Sequence, residues 1–240
     1  MTEKRRAKTK LRIKCFIGIE LNFELCNMFN RYIKLLFFIV LSINVSAQDT
    51  VAYSRDYEFK EGVFLTLQHF LNNEPILKSS IITSVPMNQV DFLKEVMEQK
   101  TIKYKDAAGV EKIVELSTVW GYCQNRALYL NFNKEFNRLN TIGSLCHFAA
   151  TVTTPTSSYR DPMGYNYGIN TTYQELRQFV YDSSTNKVYD FNTKTMEFLL
   201  KKDDALYQEF MKLNKRKKAE SLFIYLRKYN EKFPLYLAKK

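Results

Sequence analysis

Cys146-His147 is the place in the chain where a thiol and an imidazole stand side by side, a pairing that in the right geometry yields a thiolate nucleophile. The flanking pattern opposes that geometry. Ser144 to Thr153 reads as a β-strand, in which neighbours point to opposite faces. Cys146 then shares an apolar face with Phe148, Ala150 and Val152, and His147 a mixed one with Leu145, Ala149 and Thr151. Cys123 alternates likewise with Val119 and Gly121. No GxSxG is present to support serine chemistry. The adjacent carboxylates Asp203-Asp204 stand where a helix begins, which accounts for them. A glycosidase would need two carboxylates facing across a cleft, and no pair stands out. There is no CxxC, and His69 and His147 are the only histidines. No catalytic residue, metal site or cofactor is expected.

Two stretches suit binding better. The run Lys215-Arg216-Lys217-Lys218 could meet phosphate, an acidic lipid surface or an anionic polysaccharide, although a solvated junction between helices is the simpler expectation. After it, Ala219, Leu222, Phe223 and Leu226 form a stripe expected to pack on a sheet. The second stretch is Thr154 to Thr172, TPTSSYRDPMGYNYGINTT, long for a loop inside a compact domain. Tyrosine offers a large amphipathic contact at low entropic cost, and small polar neighbours adapt their hydrogen bonds to a ligand. Tyr159, Tyr165 and Tyr167, with Tyr173 just beyond, are the candidate ligand contacts.

The elements that must position these residues follow from periodicity. Residues 48–56 read as a polar, exposed start. Gly62 to Leu65 and Ile81 to Val85 read as strands, with Thr66 capping a short helix through Leu71. Val90, Leu93, Val96 and Met97 recur at helical spacing within 88–99. From Thr101 the period becomes two, giving hairpins over 101–105/112–116, 119–123/127–132, 136–142/144–153 (hinged at Gly143) and 174–181/187–191. Residues 193–233 then read as helices, ending before Pro234. The fold expected for 57–240 is a single α+β domain, an antiparallel β-meander open to strong curvature, packed with C-terminal amphipathic helices.

Upstream, Lys34 to Gln48 reads KLLFFIVLSINVSAQ. Its apolar run is far short of the ~20 residues that cross a bilayer. It fits a secretory signal with small residues before a cut after Ala47. Residues 1–47 are therefore read as a leader, with Met28 as a plausible true start; an uncleaved inner-membrane anchor is the alternative. The leader carries nine bases and three acids, and residues 212–240 carry ten bases and two acids. The basic pI thus describes a leader and a tail, and nucleic acid is not an expected partner. In an oxidising compartment Cys123 and Cys146 could pair; the alternative is two buried thiols acting as small apolar residues.

Three segments, EGVFLTLQHFLNNEPI at 61–76, the VWGYC and IGSLCHF strands, and KRKK…FIYLRKYNEKFPLY near the end, resemble small exported proteins of Bacteroidetes-type bacteria. The resemblance implies export and a sheet-rich domain, and brings no activity or site residues. The expected location is periplasmic, outer-membrane-associated or secreted. The expected role is a non-enzymatic binding or structural module for an envelope glycan or protein, with membrane contact only if the leader is uncleaved. A polymer-degrading hydrolase and a membrane-anchored protein with a basic C-terminal surface are the alternatives.

Overall fold

In the computed structural model, which describes residues 49–155 and 172–239, two tight turns direct the sheet. Asn125-Arg126 and Asn133-Lys134 all lie in the left-handed region, with φ of 51°, 59°, 55° and 67°, a twist that matches the strands they join. The first half of the chain holds β1 (Thr50–Ala52), β2 (Gly62–Phe64), α1 (Leu67–Leu71), β3 (Ile81–Ile82), α2 (Phe92–Met97), β4 (Thr101–Lys105) and β5 (Glu111–Glu115). The meander follows as β6 (Gly121–Gln124), β7 (Ala127–Phe132), β8 (Glu135–Thr141), β9 (Leu145–Pro155), β10 (Thr172–Asp182) and β11 (Lys187–Asp190). Four helices and a strand close the chain: α3 (Thr193–Leu200), α4 (Asp204–Met211), α5 (Lys215–Glu220), α6 (Leu222–Lys232) and β12 (Tyr236–Ala238).

Seven strands pair antiparallel in the order β11-β10-β9-β8-β7-β6-β2 and curl into a half-barrel. The α+β class with antiparallel sheets and C-terminal helices is therefore as expected, and the curvature is strong. Between Leu139↔Phe148 and Thr141↔His147, β8 carries one extra residue, and such a bulge sharpens the local twist.

Strand alternation sorts the apolar side chains into three clusters. One face of the curled sheet gathers Cys123, Leu128, Leu130, Leu139, Phe148, Phe179 and Tyr181 around Phe70 of α1 and Trp120, whose rings stack at 4.3 Å. The opposite face is covered twice. Tyr122 packs with α2 and with Ile81 and Ile102 of the three-stranded sheet β3-β4-β5. Leu145 and Val180 pack under Met196, Leu200, Phe210, Tyr225 and Leu226 of the helices. Three of those helices start at Asn192, Asp203 and Asn214, spaced eleven apart. Each cap side chain accepts the backbone N–H three residues on, at 3.0, 2.9 and 2.9 Å, which satisfies an otherwise unpaired donor.

The structure departs from the sequence reading at several places. Residues 49–56 are mostly exposed, yet they are tied into the fold, since β1 pairs antiparallel with β12. Tyr53 N donates to Leu235 O at 2.7 Å, and the Tyr57 hydroxyl to Ala238 O at 2.9 Å. The side chains of β1 are all exposed, so its pairing is carried by backbone and leaves no hydrophobic pattern. The chain continues past Pro234 into β12, where Leu235 and Leu237 enter the inner cluster. Helix α2 begins at Phe92, leaving Val90 exposed. At Ser221 the last helical segment breaks into α5 and α6. The break rotates the buried stripe to Tyr225, Leu226 and Tyr229, with Ala219 and Phe223 exposed.

Candidate binding cleft

The structure separates the thiol from the imidazole. Cys146 lies on the inner face, and its Sγ donates to Gly143 O at 3.1 Å. Burial pushes its pKa up to about 12. His147 is on the other face, its ring edge-on to Phe191 and Phe223 at 4.9 and 4.7 Å. Its Nε2 meets Gln178 Oε1 at 3.1 Å, and burial holds its pKa below the usual histidine value. Burial also raises Cys123 to about 12. The disulfide considered for Cys123 and Cys146 is not formed; both are free, buried thiols. A protonated thiol with no base beside it is no nucleophile.

The basic run does not present one charged face. Lys218 turns inward, only 9% exposed, and its Nζ donates to Glu197 Oε1 at 2.7 Å. Arg216 pairs with Glu220 on its own helix at 2.8 Å. Lys215 and Lys217 remain exposed. Among the tyrosines, Tyr159, Tyr165 and Tyr167 lie outside the described residues. Tyr173 sits on β10 opposite Thr154, 47% exposed, where β9 and β10 run on as a two-stranded ribbon beyond their partners β8 and β11.

At the other end of β9 and β10, five elements border an open cleft of about 440 Å³ that the sequence did not foreshadow. Ser144, in the β8–β9 turn, faces Ser183 and Ser184 of the β10–β11 turn. Ser183 ties the turns together, its N and Oγ both donating to Ser144 O at 2.9 Å. The Ser144 hydroxyl donates to Phe233 O at 2.5 Å. Asp182 accepts from Ser184 N and Oγ at 2.9 and 2.7 Å and from Thr185 Oγ1 at 2.9 Å. The β10–β11 turn is further held from inside, where Trp120 Nε1 donates to the Tyr181 hydroxyl (3.1 Å) and that hydroxyl to Asn186 Oδ1 (2.8 Å).

The opposite wall is cationic and aromatic. Lys202, just after α3, places Nζ 4.6 Å from the Phe233 ring centroid, a cation–π contact. No carboxylate pairs with it among the described residues. Lys232 contributes less free charge, because Asp203 Oδ2 holds its Nζ at 2.5 Å. That ion pair, together with the cap bond, keeps Asp203 below the ordinary carboxylate range. Phe233, Pro234 and Tyr236 supply apolar surface.

The three serine protons are directed into the protein, so the hydroxyl oxygens offer acceptor lone pairs to a ligand. Lys202 offers donors. The cleft is of the size that holds small ligands, roughly 300–1,000 Å³. Sequence reading missed it because Ser144, Ser183, Lys202 and Phe233 come from four separate segments with no shared spacing. Their only local signal was turn composition. Among the described residues no group of three or more His, Cys, Asp or Glu could hold a metal ion. Compared with known proteins, the chain matches no family model, no curated protein and no solved structure.

Proposed function

We propose that the chain is an exported, non-enzymatic binding protein whose cleft takes a hydroxyl-rich, carboxylate-bearing ligand, an acidic envelope glycan being the class that fits. The observation that carries this is Lys202, an ammonium without a carboxylate partner among the described residues, held over Phe233 and facing serine oxygens that can only accept. Sugar hydroxyls would donate to those oxygens, a uronate carboxylate would meet Lys202, and the sugar's C–H faces would lie on Phe233 and Tyr236. No carboxylate is among the described residues lining the cleft, and the nearby acids are engaged, since Asp182 closes a turn and Asp203 caps α4 and pairs with Lys232, which supports binding over hydrolysis. A glycan array probed with the wild type and with Lys202→Ala tests the reading. Uronate-containing glycans bound by the wild type and lost in the variant support it; equal profiles contradict it.

A second reading assigns protein binding to the ribbon end. It rests on Tyr173 and on Leu176, which is 75% exposed in mid-strand. Export itself predicts a mature chain beginning at Gln48 in the periplasmic, outer-membrane or secreted fraction. An intact leader in the inner membrane would favour the anchored alternative.

A further inference from the structure

The outward side of the helical layer carries apolar side chains that stay open to solvent. Phe198 on α3 is 56% exposed and Ile224 on α6 53%, with Phe223 and Met211 also exposed. Phe223 turns one edge to His147 and Phe191 and Phe198 lies 6.0 Å from Tyr189, but Phe198 and Ile224 stand outside the stripe of Met196, Leu200, Phe210, Tyr225, Leu226 and Tyr229 that α3, α4 and α6 bury. Helix α5 bridges α3 and the end of α4. Its Lys218 reaches Glu197, the neighbour of Phe198, and lies 3.2 Å from the sulfur of Met211. Phe223 follows three residues after α5 ends.

The charge around this region is net positive. Residues 193–239 carry twelve lysines and arginines against six acids. Lys218, Lys228 and Lys232 are each held by a carboxylate. Lys215 and Lys217 have no ion-pair partner among the described residues, and both are exposed at the start of α5. Exposed Phe and Ile beside unneutralised lysines is the chemistry of an interfacial contact, with rings entering the headgroup–acyl boundary and ammonium groups meeting anionic headgroups. Among the described residues no helix is long and apolar enough to cross a membrane, so such a contact would lie on the bilayer surface.

We propose that this face, centred on Phe198, Met211, Phe223 and Ile224 and rimmed by Lys215 and Lys217, docks on an anionic lipid bilayer. It needs no help from the leader and is separate from the Lys202 cleft.

The test uses the full chain, with lysine acetylation read by mass spectrometry residue by residue, so that contacts of the leader are scored apart. On phosphatidylglycerol vesicles, labelling of Lys215 and Lys217 should fall several-fold, and on phosphatidylcholine vesicles it should not. Lys215→Gln with Lys217→Gln should weaken vesicle binding by roughly fivefold for each lysine removed. Ile224→Ser, at an exposed site, should weaken it without loss of fold, and Lys202→Ala should leave it unchanged. Labelling that vesicles do not alter would overturn the proposal, as would sedimentation equal in wild type and variants. Protection that appears without lipid and grows with protein concentration would assign the face to a second copy and overturn it as well.

Discussion

The side chain of Asn230 on α6 behaves as a strand partner for Leu145 on β9. Its Oδ1 accepts from Leu145 N and its Nδ2 donates to Leu145 O, both at 2.9 Å. The preceding glycine permits this approach, since a Cβ on Gly143 would lie 2.4 Å from the Asn230 amide. One amide thus fixes the β8–β9 turn, and with it Ser144, against the last helix. Asn230→Ala should destabilise the domain by about 2–3 kcal/mol, the sum of two net hydrogen bonds and some unsatisfied backbone. Urea unfolding with an unchanged m-value would measure it. A loss under 0.5 kcal/mol would show that the turn holds without Asn230.

The pairing of β1 with β12 makes the two ends of the domain one structural unit. Leu237 is fully buried in the inner cluster, so Leu237→Ala should cost about 2–5 kcal/mol. Val51→Ala, at an exposed β1 position, should cost well under 1 kcal/mol as a surface change. Thermal melts of the two variants separate these outcomes. Equal shifts would mean that β12 contributes backbone pairing and little burial.

His147 gives the stability a pH dependence whose sign is fixed. Its folded pKa lies below the ordinary value because burial disfavours the imidazolium. The unfolded chain therefore binds the proton first, and stability falls as pH drops below about 6.5, levelling once the folded pKa is passed. Carboxylates held low by partners, such as Asp203 and Glu61, lose their contribution only at more acidic pH. Urea midpoints between pH 8 and pH 5.5 should decline in the wild type and stay flatter in His147→Gln. A decline of the same size in both would place the titration elsewhere.

Cys123 and Cys146 should resist thiol reagents in the folded protein, because burial raises both thiols to about 12 and leaves almost no thiolate at neutral pH. Alkylation followed by peptide mapping should find both unmodified without denaturant and fully modified with it. Labelling of either at neutral pH in the native state would contradict the packing described.

The sequence made the fold legible wherever burial leaves a period. Phe148, Ala150, Phe179 and Tyr181 alternate cleanly, and Thr66 and Asp203 announce their helices by cap chemistry. It was silent where backbone alone does the pairing, as in β1, and misleading at Ser221, where a break between helices moves the buried stripe to Tyr225, Leu226 and Tyr229 and leaves Phe223 only edge-on to His147 and Phe191. The separation of Cys146 from His147 was readable from strand alternation. The cleft was not, because Lys202 and Phe233 meet Ser144 and Ser183 only through the curl of the sheet and the packing of α6. Lys218 was unreadable for a similar reason. Its inward turn depends on Glu197 from another helix, which no local charge pattern reveals.

Calorimetric titration with uronate oligosaccharides shows whether Lys202 and its serine-lined cleft bind an acidic sugar. Saturable binding should appear in the wild type. It should drop at least tenfold in Lys202→Ala, and drop similarly when the carboxylates of the sugar are reduced to alcohols. Lys215→Gln should leave it unchanged. Binding that survives Lys202→Ala at full strength, or that the neutral sugar reproduces, would contradict the account.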